Sequence, residues 1–167
     1  MRNPEFVKAA FSAIATRYVA TNHVLSMGVD LLWRQRVVQL VSEWKPERLL
    51  DLATGTGDLA LAILRAMPEI RLTGSDFCQP MLDVAAERGL TNLVCADAMN
   101  LPFPSASYDA VTVAFGLRNM ASYPDALKEM GRMLRPGGHL LILDFSLPEN
   151  LLKRPYRFYL HRILPLI

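Results

Sequence analysis

Residues 49–59 read LLDLATGTGDL, an apolar run closed by an acid, a turn of small residues, and a helical pattern from Asp58 onward. Few folds accommodate such a stretch. A buried strand must leave its sheet through a tight turn, and the next helix must begin at the sheet edge with unpaired N–H groups pointing outward. Gly55 and Gly57 let the backbone bend and let a ligand lie against bare peptide. Strand, glycine turn and helix form the layout of a nucleotide-type binding loop.

The acids bear on which ligand such a loop takes. Gly55, Gly57 and Ala60 also satisfy G-x-G-x-x-A, the alanine variant of the dinucleotide fingerprint. Yet Asp51 ends the strand and Asp58 opens the helix, so carboxylates bracket the turn. A pyrophosphate there meets two like charges, each repulsion on the order of 1–4 kcal/mol at partly screened distances. S-adenosylmethionine (SAM) instead brings an ammonium and a sulfonium and no phosphate. SAM is the expected ligand; a dinucleotide and a purely structural turn are the alternatives.

With 167 residues, 51% of them hydrophobic and 20% charged, the chain suits one globular domain with a full core. A net charge of +2 gives no reason to expect nucleic acid as a partner. Cys78 and Cys95 lack metal-ligand or C-x-x-C spacing, so free thiols and no metal are expected. Neither a secretory h-region nor an apolar run near the roughly 18 residues of a membrane span is present, and a cytoplasmic protein is expected.

Along the chain, residues 4–18 and 29–44 carry helical apolar periods, separated by a polar loop over 18–28. The second helix is expected to turn Leu32, Trp33, Arg36, Val37, Leu40 and Val41 to its apolar side and to end before Pro46. Residues 1–46 thus form an N-terminal helical cap segment and 47–167 the binding domain. Strands are expected at 48–53, 70–75, 92–95, 108–114 and 138–145, and helices at 57–67, 79–88, 122–134 and 151–163. Pro68, Gly89 and the 136–138 Pro-Gly-Gly turn mark boundaries. The alternation predicts an α/β, Rossmann-like parallel sheet with helices on both faces and ligands beyond the carboxyl ends of its strands.

Those strand ends supply the candidates. Asp76 follows the glycine turn at the spacing of about 20 residues that suits an acid on the ribose hydroxyls; capping the next helix is its other reading. Met81 can pack on an adenine ring or simply fill core. Asp97 can accept the adenine amino group while the Ala98 amide donates to the ring, or it is an ordinary turn aspartate. Residues 101–104, LPFP, read as a stiff apolar elbow. Gly116 marks a sharp exit from the fourth strand, placing Arg118 and Asn119 at the carboxyl edge; an exposed arginine is also often only a solvated charge. Asp144 ends the fifth strand. His23, His139 and His161 are scattered and match no catalytic order.

The runs DLATGTGDLA, GSDFCQPML, ADAMNLPFPSASYDAVTVAFGLRNM and LRPGGHLLILDFSLP resemble the UbiE/MenG family, SAM-dependent C-methyltransferases of ubiquinone and menaquinone biosynthesis. The N-terminal FSAIATRYVATNHVLSMGVDLLWR is similar to the family's leading segment. The likeness covers residues 11–167, and AFGLRN with the LPFP elbow carries its specificity. It implies SAM contacts at Thr56, Asp76, Asp97 and Ala98. A further family position, often serine, is Ala114 here, which leaves only backbone contact. With the loop reading, the expected donor-binding set is Asp51, Ala53, Gly55, Thr56, Gly57, Asp76, Phe77, Met81, Asp97, Ala98, Met99 and Ala114. Two departures stand out. The family's Tyr-Asp pair is Tyr18-Val19, and family members continue several tens of residues beyond Ile167, so the usual C-terminal antiparallel strand pair is expected to be lacking.

The resemblance implies methyl transfer from SAM to a ring carbon of a demethylmenaquinol or ubiquinol precursor; methylation of another small acceptor, or a SAM-binding domain without activity, is the alternative. Arg118 is expected to favour a developing phenolate, Asn119 to orient the hydroxyl, and Asp97 or a water to take the proton. A prenylated substrate implies contact with the inner face of a membrane. The basic and aromatic residues of 152–164 fit such docking, and equally fit a helix covering core with a solvated cationic face. A homodimer is a further expectation.

Overall fold

The computed structural model describes residues 29–144. The expected helices at 4–18 and 151–163, the loop at 18–28 and any C-terminal strand pair lie outside them. In chain order the elements are α1 (Val29–Trp44), β1 (Arg48–Leu52), α2 (Asp58–Ala66), β2 (Arg71–Asp76), α3 (Gln79–Glu87), β3 (Leu93–Cys95), β4 (Tyr108–Ala114), a 3-10 turn (Leu117–Asn119), α4 (Tyr123–Met133) and β5 (Leu134–Leu143). The strands form one 5-stranded sheet in the order β3-β2-β1-β4-β5, every pairing parallel. The order reverses between β1 and β4, and that switch point opens the crevice where ligands of such sheets bind.

The alternation along β1 builds both layers of core. Leu49 faces one side, where Leu59, Ala60 and Ile63 of α2 meet Val37 and Val41 of α1. Leu50 and Leu52 face the other, joined by Val111 and Val113 and covered by Ala126, Met130 and Met133 of α4. Each leucine buried this way contributes about 1.5–3 kcal/mol over leaving it in water. Asp51 shares the face of Leu49 and so lies under α1 and α2 rather than under α4.

Two expectations are corrected here. The inward stripe of α1 is not the one expected. Val37 and Val41 are buried, but Leu32 is 63% and Trp33 38% exposed, and Arg36 bonds Gln39 at the surface at 2.7 Å. The inward stripe instead runs through positions 34, 37, 41 and 44, with Trp44 stacked on His139 of β5, which puts the charged Arg34 on the inner side. In addition, β5 starts at Leu134, not 138. Leu134 pairs with Tyr108 and His139 with Ala110, and the register shift between them absorbs the Pro-Gly-Gly segment as a bulge inside the strand.

The connection from β3 to β4 is held by α4. Glu129 Oε1 accepts the Leu101 amide at 2.8 Å. Arg132 donates to the carbonyls of Phe103 at 2.8 Å and Leu101 at 3.0 Å. Phe103 stands edge-on to Tyr108 at 5.5 Å, so the LPFP elbow is pinned on both sides.

Candidate active site

A cleft of about 1160 Å³, counting its open mouth, lies at the carboxyl ends of β1, β2, β3 and β4. Asp51, Ala53, Gly55, Thr56, Asp76, Phe77, Met81, Asp97, Ala98, Met99, Ala114 and Asn119 all line it. The sequence pattern thus brought together nearly all of its expected residues. Gly57 and Arg118 are the exceptions.

The two glycines of the loop do different work. Gly55, at φ +56, has nothing within 4 Å of where a Cβ would stand, so it leaves bare peptide facing the cleft. Gly57, at φ +81, would put a Cβ 3.3 Å from both Ala85 and Leu90. Its missing side chain serves the packing of α2 against Ala85 and Leu90, and Gly57 is not among the residues that line the cleft.

Two buried acids floor the cleft. Asp51 accepts hydrogen bonds from Thr112 Oγ1 at 2.6 Å and Thr54 Oγ1 at 2.7 Å. Burial nevertheless outweighs those bonds and raises its carboxyl to about 6. Asp76 Oδ2 accepts the Gly55 amide and Oδ1 the Cys78 amide, each at 2.9 Å. Burial again dominates and pushes its carboxyl above the usual range, opposed by those backbone bonds. Asp76 therefore holds Cys78, the residue before α3, and latches the glycine loop, with oxygen lone pairs left for hydroxyl donors.

Asp58 is differently placed. Arg34 reaches Oδ2 at 2.9 Å and Arg88 reaches Oδ1 at 2.6 Å, while Arg88 also donates to the Thr56 carbonyl at 2.6 Å. Burial opposes ionisation, but the two guanidiniums prevail and hold the carboxyl below its usual range. The expectation that Asp58 offers its charge to a cationic ligand is thereby corrected, because two arginines already neutralise it.

On the opposite wall β1 and β4 nearly touch. Ala53 at φ 51 and Phe115 at φ 58 both leave their strands through the left-handed region, and a Cβ on Gly116 would collide with that of Ala53. After this turn Asn119 faces the cleft. Arg118 does not. Its guanidinium pairs with Asp144 at 2.7 Å and lies 5.9 Å from the Phe115 ring centre. Arg118 is not among the residues that line the cleft; Asp144, just past β5, holds its guanidinium.

On the β3 side, Asp97 Oδ1 accepts the Met99 amide at 2.9 Å, closing an aspartate turn that also borders the cleft. Met81 is both core and cleft wall. Sequence reasoning missed Arg34, Thr54, Ser75, Phe115 and Met120, which line the cleft as well. Helical spacing from Val37 and Val41 gave a signal for Arg34. The others follow from strand exits whose course the sequence does not reveal.

The ubiE/COQ5 methyltransferase family matches residues 1–167. The chain belongs to that family. A demethylmenaquinone methyltransferase of Thermus thermophilus is 48% identical over 163 residues, covering 94% of this chain and 74% of the relative. One from Deinococcus radiodurans is 44% identical, covering 96% and 69%. Among solved structures, the [4+2]-cyclase SpnF superposes with TM-score 0.60 at 33% identity, covering 69% of this chain and 46% of its own. A Haloferax volcanii methyltransferase bound to its Trm112 activator gives TM-score 0.68 at 23% identity over 89% of this chain and 66% of its own, a likeness of fold.

The chain is a methyltransferase of this family, and the residues present fit SAM as the methyl donor. Gly55 opens a cradle that a side chain would fill, and the buried Ser75 hydroxyl beside Asp76 has no hydrogen-bond partner. Asp51 is an acid that a cation stabilises. Among the described residues, no group of three or more His, Cys, Asp or Glu side chains is arranged to hold a metal ion.

Proposed function

We propose that this family member methylates a ring carbon of a demethylmenaquinol-type quinol. The observation that carries the acceptor is the 48% identity to a protein named demethylmenaquinone methyltransferase. Bound SAM supplies an electrophilic methyl group on a sulfonium. Asp76 and Ser75 take the ribose side, Asp97, Ala98, Met99 and Met81 the adenine side, and Asp51 with Thr56 the amino-acid end. Ala114 contributes backbone only. Phe115 and Met120 give the acceptor ring an apolar wall that excludes water, and Asn119 orients its hydroxyl so that the carbon stands in line with the methyl. Arg118 acts from behind by fixing the turn that carries Asn119. The hydroxyl proton passes to water, because Asp97 is engaged on the adenine side.

A prenylated acceptor calls for contact with a membrane surface, and residues 152–164 supply the cations and aromatics for it. Among the described residues no helix is long and apolar enough to cross a membrane. The cap-and-binding-domain division at residue 46, pairing into a homodimer and the absence of a nucleic-acid partner belong to the same reading.

The test is methyl transfer from labelled SAM to a short-chain demethylmenaquinol. Labelled menaquinol is the expected product. SAM binding with label appearing only on a different small acceptor overturns the substrate, and SAM binding with no transfer to any acceptor points to the non-catalytic alternative.

A further inference from the structure

Arg34 belongs to α1, outside the sheet, yet its side chain is only 11% exposed and borders the cleft. It is the one basic side chain among the described cleft-lining residues, against four acids, Asp51, Asp58, Asp76 and Asp97. Its partner Asp58 already holds Arg88 at 2.6 Å. Two guanidiniums thus share one carboxylate, so Asp58 does not use up the charge of both. The charge of Arg34 is also felt at Asp51, and the acid and the cation line the same cleft.

An amino acid has that same juxtaposition, with ammonium and carboxylate on one carbon. We infer that Arg34 is the anchor for the donor's methionine carboxylate, with Asp51 facing the neighbouring ammonium. This rests on the SAM reading of the cleft and extends it to a residue of the cap helix. A planar guanidinium can engage Asp58 through one edge and a second carboxylate through another. Because Arg34 comes from α1, the donor would then be gripped by the cap as well as by the sheet.

The experiment compares SAM with its decarboxylated form, S-adenosylmethioninamine, which keeps both cations and lacks only the carboxylate. Affinities are measured by calorimetry on the full chain and on Arg34→Gln. The unaltered chain should prefer SAM by roughly tenfold or more, the size of a charge-assisted pair. Arg34→Gln should erase that preference while holding the decarboxylated donor within about threefold of the unaltered chain. Arg34→Lys, which keeps the charge and loses the fork, should retain part of it and serves where Arg34→Gln does not fold. An equal loss for both ligands in either variant overturns the inference and leaves Arg34 a latch for Asp58. Equal affinity of the unaltered chain for the two donors overturns it too. If the unaltered chain binds neither, the SAM reading itself fails.

Discussion

Asp76 Oδ2 and the Gly55 amide, 21 residues apart in sequence, meet at 2.9 Å and tie the end of β2 to the loop that leaves β1. The other oxygen accepts the amide of Cys78, the residue that leads into α3. One side chain therefore sets the width of the cleft between β1 and β2. Asp76→Ala should cost about 1.5–3 kcal/mol of stability, since amide bonds to a carboxylate are lost in a buried place. SAM affinity should drop by roughly tenfold or more, and Asp76→Asn, which keeps one acceptor oxygen, should lose less of both. Denaturant titration and calorimetry check this; an unchanged midpoint in Asp76→Ala would remove the latch.

Asp51 makes folding depend on pH in an unusual sense for an acid. Its carboxyl lies at about 6 in the fold against an ordinary 3.8, so the folded state binds more protons between those values. Its contribution is fully present below 3.8 and is lost as pH rises through about 6, amounting to about 3 kcal/mol across the window. Asp76 moves in the same direction, while Asp58 moves in the opposite one. Asp51→Asn should flatten most of the decline seen in melting curves between pH 4 and about 7. A cationic donor reverses the preference of Asp51, so SAM should bind more tightly as pH rises toward neutrality and release protons near pH 6. Calorimetry in two buffers of different ionisation enthalpy reads the release, and none at pH 6 would separate Asp51 from the donor.

Most of the fold is legible because local rules and packing agree. Buried strands alternate with amphipathic helices, and the boundaries at Pro46 and Gly89 act through backbone chemistry that sequence displays. The cleft was legible where a residue type has a fixed place at a strand end, as at Asp51, Gly55 and Asp76. It was illegible where a tertiary partner decides. Nothing near Arg118 in sequence tells that Asp144, 26 residues on, will claim its guanidinium. Arg34 was hidden because hydrophobic periodicity disregards charged residues on an inward stripe. Gly55 and Gly57 look alike within one motif, and only their surroundings in space show that one leaves open room and the other lets Ala85 and Leu90 pack closely.

Gly116 and Gly131 offer a contrast in which the same change has opposite signs. A Cβ on Gly116 collides with Ala53 at the point where β1 and β4 approach, whereas one on Gly131 in α4 meets nothing within 4 Å. Gly116→Ala should spread the strand exits, with a loss of about 1–3 kcal/mol as for other overpacking changes, and weaken SAM binding. Gly131→Ala should stabilise the helix by about 0.5–1 kcal/mol with binding unaltered. Thermal melts of the pair decide the matter, and equal effects would show that the contact at Ala53 is not the constraint.

Arg118 and Asp144 should behave as one unit in turnover. Asp144 accepts both the Arg118 side chain at 2.7 Å and its backbone amide at 3.3 Å, and Asn119 enters the cleft directly after it. Removing either partner frees the turn that carries Asn119 without touching the donor's end of the cleft. Arg118→Ala and Asp144→Asn should each lower kcat by roughly tenfold or more, as misplacement of a positioning group does. SAM affinity should stay within about twofold, because no donor-side residue is disturbed. Acting through one pair, the two changes should not add, and the double variant should be no slower than the worse single one. Steady-state kinetics with a short-chain quinol gives the comparison. Multiplying losses in the double variant would mean that Arg118 acts on substrate independently of Asp144, and a matching drop in SAM affinity would place its effect in donor binding instead.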